Sequence, residues 1–139
     1  MNDPFGTILL AIRNDATVAG IVGDTSAKVT SKAAQPPSVR LRNQGTSRTP
    51  FGPNSNRVGV HLFRAIAQCY GLEDDPNGEL IASQLARAVA DAIHGIGAVR
   101  GTGTNLILRA WTPDINEIVR DPDTDWPYHT VRIEAYAAD

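Results

Sequence analysis

An α+β domain, one mixed and mostly antiparallel sheet covered by helices, is the fold this sequence predicts, and three observations predict it. Val58, Val60 and Leu62 alternate with small or polar neighbours and lead into an almost unbroken apolar run, 63–70, interrupted by Arg64 and Gln68. That pattern suits a strand buried on one or both faces. Residues 76–94 then read as one amphipathic helix, with Ile81, Leu85, Ala88, Val89 and Ala92 on one side and Gln84, Arg87, Asp91 and His94 on the other. Finally, the elements follow the order helix, strands, helix, strands, without a repeat or a second domain. The 139 residues fit a single domain spanning 1–139, which would bury roughly two-thirds of the surface of its unfolded chain.

In chain order, Asp3 caps a first helix that starts at Pro4, and Phe5, Ile8, Leu9 and Ile12 give it an apolar stripe to pack on the sheet. Residues 16–22 form a second short helix with Val18, Ile21 and Val22 inward, and Gly23 ends it. Residues 28–30 are a short strand or an edge. Pro36 and Pro37 break regular structure before a strand at 38–42, in which Val39 and Leu41 point one way and Arg40 and Arg42 the other, toward solvent or an interface. Residues 43–56 carry Gly45, Arg48, Pro50, Gly52 and Pro53 and have no apolar periodicity. They predict a long arm or hairpin tip, with Phe51 as its apolar anchor if the arm orders against a partner.

The long strand ends at an acidic turn. Asp75 caps the central helix, Pro76 takes its first position, where a missing N–H costs nothing, and Gly95 is expected to end it in the left-handed conformation. A strand follows at 105–111 and stops at Pro113. Ile115, Ile118 and Val119 are extended and lead to a second acidic turn, 121–125, after which 128–137 alternates again with Val131, Ile133 and Ala135 on its inner face.

Composition narrows the function classes. A hydrophobic fraction of 42% with 20% charged residues belongs to a globular chain and excludes wholesale disorder. The net charge of −2 conceals an uneven distribution: residues 1–70 carry a net +5 and residues 71–139 a net −7. Such asymmetry lets the basic part of one copy face the acidic part of the next in a head-to-tail assembly; the competing reading is two solvated faces of one monomer. Cys69 is the single cysteine, so neither an intrachain disulfide nor a multi-cysteine zinc site is available, as expected in a reducing cytoplasm. The apolar run 8–12 lacks a basic leader and ends at Arg13, so neither an export signal nor a bilayer span is expected.

No motif carries chemistry. Asp121, Asp123 and Asp125 imitate the opening of a calcium loop, but Trp126 stands where the turn needs glycine and Arg132 where a bidentate carboxylate belongs. An acidic interface turn anchored by Trp126 is the better reading. Residues 95–100 approach a dinucleotide fingerprint but put Arg100 in place of its third glycine and follow a helix instead of a strand. His61, His94 and His129 have no ligand spacing. Cys69 with His61 or His129 is the one conceivable nucleophile and base, although an apolar run usually makes a cysteine structural. Arg40, Arg42, Arg48 and Arg57 are basic without neighbouring lysine clusters or stacking aromatics, which argues against sequence-specific nucleic-acid binding.

Several landmarks run together along the chain: an N-terminal helix leading into Val22, Gly23 and Asp24, and an arginine-bearing strand from Val39 to Arg42. The long strand ending at Cys69, Tyr70 and Gly71, the alanine-rich helix closing at His94 and Gly95, and a late strand after Arg120, Asp121, Pro122 and Asp123 complete them. Over nearly its whole length the chain resembles the tail terminator, or tail completion, family of minor tail proteins of long-tailed bacteriophages. The resemblance implies a homo-oligomeric ring, hexameric in the family, that docks on the last ring of tail tube protein, stops its polymerisation and presents a surface to head completion or neck proteins. It implies location in the virion at the head-proximal end of the tail after assembly in the host cytoplasm, with double-stranded DNA passing through the lumen without specific binding. Enzymatic activity, cofactor, metal and membrane are not part of that picture. Interface positions would be Arg40, Arg42, Arg48, Phe51, Arg57, Asp121, Asp123, Asp125 and Trp126. A neck or head-closure protein of the same virion is the alternative, and a small thiol hydrolase using Cys69 is the alternative from another class.

Overall fold

The computed structural model describes residues 4–48, 60–72, 77–96, 99–100 and 106–138. Among these residues, four helices, α1 (Pro4–Arg13), α2 (Ala16–Val22), α3 (Thr25–Lys28) and α4 (Asn77–His94), lie with strands β1 (Val29–Thr30), β2 (Ser38–Arg48), β3 (Val60–Tyr70), β4 (Val99–Arg100), β5 (Leu106–Trp111), β6 (Val119–Arg120) and β7 (Pro127–Ala138). The strands make one sheet in the order β1-β2-β3-β7-β5-β4, with β6 also on β7. Among the described strands β1 and β2 pair in parallel and the other pairs are antiparallel. The α+β class and the mixed sheet are those expected.

Alternation along the two long central strands divides the sheet into two faces. Phe63, Ala65, Ala67 and Cys69 of β3 are buried, as are Val131, Ile133, Ala135 and Ala137 of β7 and Val39 and Leu41 of β2. These residues form one core with Ile8 and Ile12 of α1, Val18 and Val22 of α2, and Leu85, Val89 and Ile93 of α4. Each such aliphatic or aromatic side chain contributes roughly 1.5–3 kcal/mol by leaving water. The alanines on β3 and β7 have a steric purpose as well: small side chains let α4 lie close to the sheet.

Helix α4 presents Ala82, Leu85, Ala86, Val89 and Ile93 to the core. The buried stripe is therefore rotated slightly from the one expected, since Ile81 and Ala92 are only half-buried at its border. Two glycines set how closely the helix approaches. A Cβ on Gly71 would run into the Gly78 carbonyl, and a Cβ on Gly78 into the Leu72 carbonyl, so the end of β3 and the first turn of α4 meet backbone to backbone. Gly95 does not take the left-handed conformation predicted for it: positive φ occurs only at Gly23 and Gly45 among the described glycines. The helix ends instead by tightening, with the Ile96 N–H donating to the Ile93 carbonyl at 3.2 Å.

At the N-terminal end, the Asp15 carboxylate accepts from the Val18 N–H at 3.0 Å and caps α2, and Gly23, at φ 82, ends it as expected. Asp24 caps the unforeseen short helix α3, so Lys28 belongs to that helix and the strand begins at Val29. The Arg13 guanidinium donates to the Val29 carbonyl at 2.7 Å and ties α1 to β1. The caps predicted at Asp3 and Asp75 lie outside the described residues.

The largest departure concerns the predicted arm. Residues 43–48 are strand, and β2 continues against β3 as far as the Arg48 and His61 pair. A bulge between Asn43 and Gly45 makes this possible: Gly45 takes φ 102, and its N–H donates to the Asn43 side chain at 2.7 Å. The polar sequence had no periodicity because both flanks of the strand over 43–47 are exposed. Residues 49–56, with Phe51, lie outside the described residues.

Candidate interface

Because the helices cover one face of the sheet, the residues of opposite parity form an open face. Reading across β2, β3 and β7 in register gives the rows Arg40, Gln68, Thr130 and then Arg42, Ile66, Arg132. Next come Gly45, Arg64, Glu134 and Ser47, Leu62, Tyr136. Strand β5 adds Trp111 beside Glu134 and Arg109 beside Tyr136, a bulge between Ile107 and Arg109 having brought both to this side. Arg42, Arg64, Arg109 and Arg132 are exposed on this face.

Aromatic contacts hold the two ends of the face. Tyr70 lies 4.9 Å from Tyr128 and meets Trp126 edge-on at 6.3 Å, while Trp111 lies 5.2 Å from Tyr136 with the Arg109 guanidinium 5.7 Å from its ring. Such pairs contribute about 0.5–1.5 kcal/mol beyond burial. Trp126 is thus the anchor predicted for the acidic turn, and its partner is Tyr70. Burial holds the Tyr70 phenol above its ordinary pKa, with Asp121 and Tyr128 pushing the same way and Arg40 and Arg42 opposing. Tyr70 therefore sits between the basic strand and the acidic turn.

The acidic turn is organised by its own backbone. The Asp121 carboxylate accepts from the Asp123 N–H at 2.8 Å and the Thr124 N–H at 3.3 Å, and Asp125 takes φ 60. Arg120 bonds the Asp125 carbonyl at 2.9 Å and reaches Glu79 on α4 at 3.2 Å. Asp123 remains exposed, without a side-chain partner among the described residues. The Asp121 side chain is committed to the turn, the Asp125 carboxylate reaches Arg120 at 3.7 Å, and among the described residues no cluster of three or more His, Cys, Asp or Glu groups converges.

The segment between Pro113 and β6 runs along β7. Asn116 N–H donates to the Thr130 carbonyl, Arg132 N–H to the Asp114 carbonyl, and Ile115 bridges Val131. His129 locks this segment to α4. Its Nδ1 donates to the Asn116 carbonyl at 2.8 Å, and its Nε2 shares a hydrogen bond with the Ser83 hydroxyl at 3.0 Å. Ser83, Ala86, Arg87, Ile115, Glu117 and His129 border a groove of about 320 Å³ there. His129 was expected to be a surface or cap residue; the alternation of 128–137 placed it on the inner side, but nothing in the sequence revealed its two partners.

Cys69 is fully buried on the covered face, its Sγ 3.8 Å from the Ala67 carbonyl, and burial pushes its thiol far above the ordinary range. His129 lies opposite it in register but is engaged by Ser83 and Asn116. The burial of Cys69 therefore disfavours a thiolate there, and the histidine opposite it is engaged by other partners.

Of the predicted interface residues, Arg40 and Arg42 stand on β2 at one side of the sheet, and Asp121, Asp123, Asp125 and Trp126 stand beyond β7 at the other. Arg48 ends β2, and Phe51 and Arg57 lie outside the described residues. The reading from sequence passed over Arg64 and Glu117. Arg64 had a signal, since it shares parity with Gln68 in a strand whose other parity is apolar. Among the described residues no single helix is long and apolar enough to cross a membrane.

Neither a family model nor a curated protein matches this chain. Among solved structures it is similar to a chain in the virion of a native gene transfer agent particle, with a TM-score of 0.69 and 18% identity over 95% of this chain and 92% of that chain. The likeness shows a shared fold over nearly the entire length of both.

Proposed function

We propose that this chain is a structural protein of a tailed, phage-like virion, and specifically a tail terminator: a homo-oligomeric ring that caps the tail tube, stops its growth and offers a docking surface to the neck or head completion proteins. The observation that carries the reading is the end-to-end likeness to a chain of a gene transfer agent virion. Two features of the molecule support it. Chemistry-bearing side chains are spent on structure, with Cys69 buried and His129 clamped between Ser83 and Asn116. Broad surfaces, in contrast, remain open among the described residues: one sheet face, the exposed 42–47 segment of β2 and an acidic flank. A ring needs a contact that closes on itself head to tail, and it needs two further faces for the tube and the neck.

Particles produced without this chain distinguish the terminator from its nearest rival. A terminator's absence leaves tails of unregulated length that do not join heads. Tails of normal length that merely fail to join would instead assign the chain to the neck, and unaltered infectious or DNA-transferring particles would overturn both assignments.

A further inference from the structure

The charge asymmetry of the sequence becomes a lateral asymmetry of the sheet. On one side, β1 covers only Val39 and Arg40, so the outer edge of β2 from Leu41 to Arg48 faces no other strand among the described residues. Arg42 is exposed there, and Arg64 follows on β3 opposite Gly45, where a Cβ would meet only open space. Neither arginine has an ion-pair partner among the described residues, and the buried Arg40 Nε has no hydrogen-bond partner. On the other side, beyond β7, residues 114–125 place Asp114, Glu117, Asp121, Asp123 and Asp125 along one strip with Arg120 as its single base. Arg120 is taken up by Glu79 and Asp125, and Arg132 by Asp114, which leaves exposed Glu117 and Asp123 unpaired among the described residues.

We infer that the basic β2 edge of one copy docks on the acidic 114–125 strip of the next, with Arg42 and Arg64 meeting Glu117 and Asp123. The occupant is a second copy because each copy carries both halves of the match. The two halves lie on opposite sides of the sheet, so one two-fold contact cannot engage both; each contact leaves one basic and one acidic side open, which produces a ring or a filament and not a closed dimer. The contact is made by side chains, not by extending the sheet. The Asn43 bulge and the flanking arginines are features that oppose strand addition at an edge, whereas guanidinium groups pair well with carboxylates. The inference deepens the ring reading and rests on it for closure, but its test is separate.

Two charge-reversed forms of the full chain make that test: R42E/R64E, in which all four contact positions (42, 64, 117 and 123) are acidic, and E117K/D123K, in which all four are basic. Light scattering at high protein concentration and low salt reads the mass. The unaltered chain is expected to associate and to weaken by roughly tenfold or more from ~0.05 to ~0.5 M NaCl, since exposed charges are screened. Each reversed form alone is expected to be monomeric with an unchanged circular dichroism spectrum, and an equimolar mixture to regain the mass by alternating the two. A mixture that stays monomeric while the unaltered chain assembles would overturn the edge contact and leave the ring intact. An unaltered chain that stays monomeric under these conditions would also overturn it, while its tube-capping role would still stand or fall by the tails made in its absence. Association indifferent to salt would count against the contact as well. Should one double variant misfold, the single changes R64E and E117K carry the same comparison.

Discussion

Along β3 the two parities tell different stories. Phe63, Ala65, Ala67 and Cys69 are 0–1% exposed and meet helices; Arg64, Ile66 and Gln68 alternate with them on the opposite face, Arg64 exposed and Ile66 and Gln68 half-buried. The covered parity is tightly determined, because each side chain must fit α4 and α1, and a polar group there would lose water without gaining a partner. The open parity is free to carry charge. Fold and the proposed interaction thus fall in the same strand at alternate positions, and substitutions should separate them.

The largest effect should come from Phe63→Ala, which opens a cavity where the sheet meets its helices and should lower unfolding free energy by about 3–5 kcal/mol. Arg64→Ala, one residue on, should stay within about 0.5 kcal/mol of the parent. Urea denaturation of the two variants measures the contrast, and equal losses would break it. Gly78→Ala should destabilise the chain by more than an ordinary surface glycine change, because the added carbon meets the Leu72 carbonyl and the backbone crossing cannot absorb it.

A sharper form of the comparison uses Cys69. The native chain should resist iodoacetamide and become reactive only on unfolding, and Cys69→Ser should cost about 1–3 kcal/mol by burying a hydroxyl. Its raised pKa also sets a pH dependence. The folded chain holds a proton that the unfolded chain releases near its ordinary value of about 8.5, so this contribution is complete below that pH and is lost as pH rises. Tyr70 acts in the same direction above about pH 10. Urea midpoints from neutral to alkaline pH should therefore fall, and fall less in Cys69→Ala. The smallest effect is expected within the acidic turn: Asp121→Ala should cost about 1 kcal/mol for two lost N–H contacts, and Asp123→Ala close to nothing.

How much was legible beforehand follows the same division. Alternation and helical periodicity located β3, β7, α1, α2 and α4 because those elements each bury one face, and burial is what hydrophobic patterning records. The same rule hid residues 43–48: a strand exposed on both flanks leaves no periodic mark, and its extension depends on a glycine bulge whose φ is visible only in the folded chain. Gly95 misled because a glycine after a helix commonly takes the left-handed conformation, while here the last turn tightens onto Ile93. On the candidate interface, Trp126 and the arginines of β2 were singled out from residue type, whereas the placement of the acidic strip on the far side of the sheet required the strand order. Nor could residue types indicate that His129 is held by Ser83 and Asn116, since its partners lie 46 and 13 residues away.

The proposed role requires surfaces that mate with other virion components around an interior devoted to packing. Its most direct test is the solution mass of the purified chain, alone and after mixing with the tail tube subunit of the same particle. A ring-sized species that binds and arrests growing tubes is the predicted result; a chain whose mass and tube kinetics are unchanged by the mixture would contradict it.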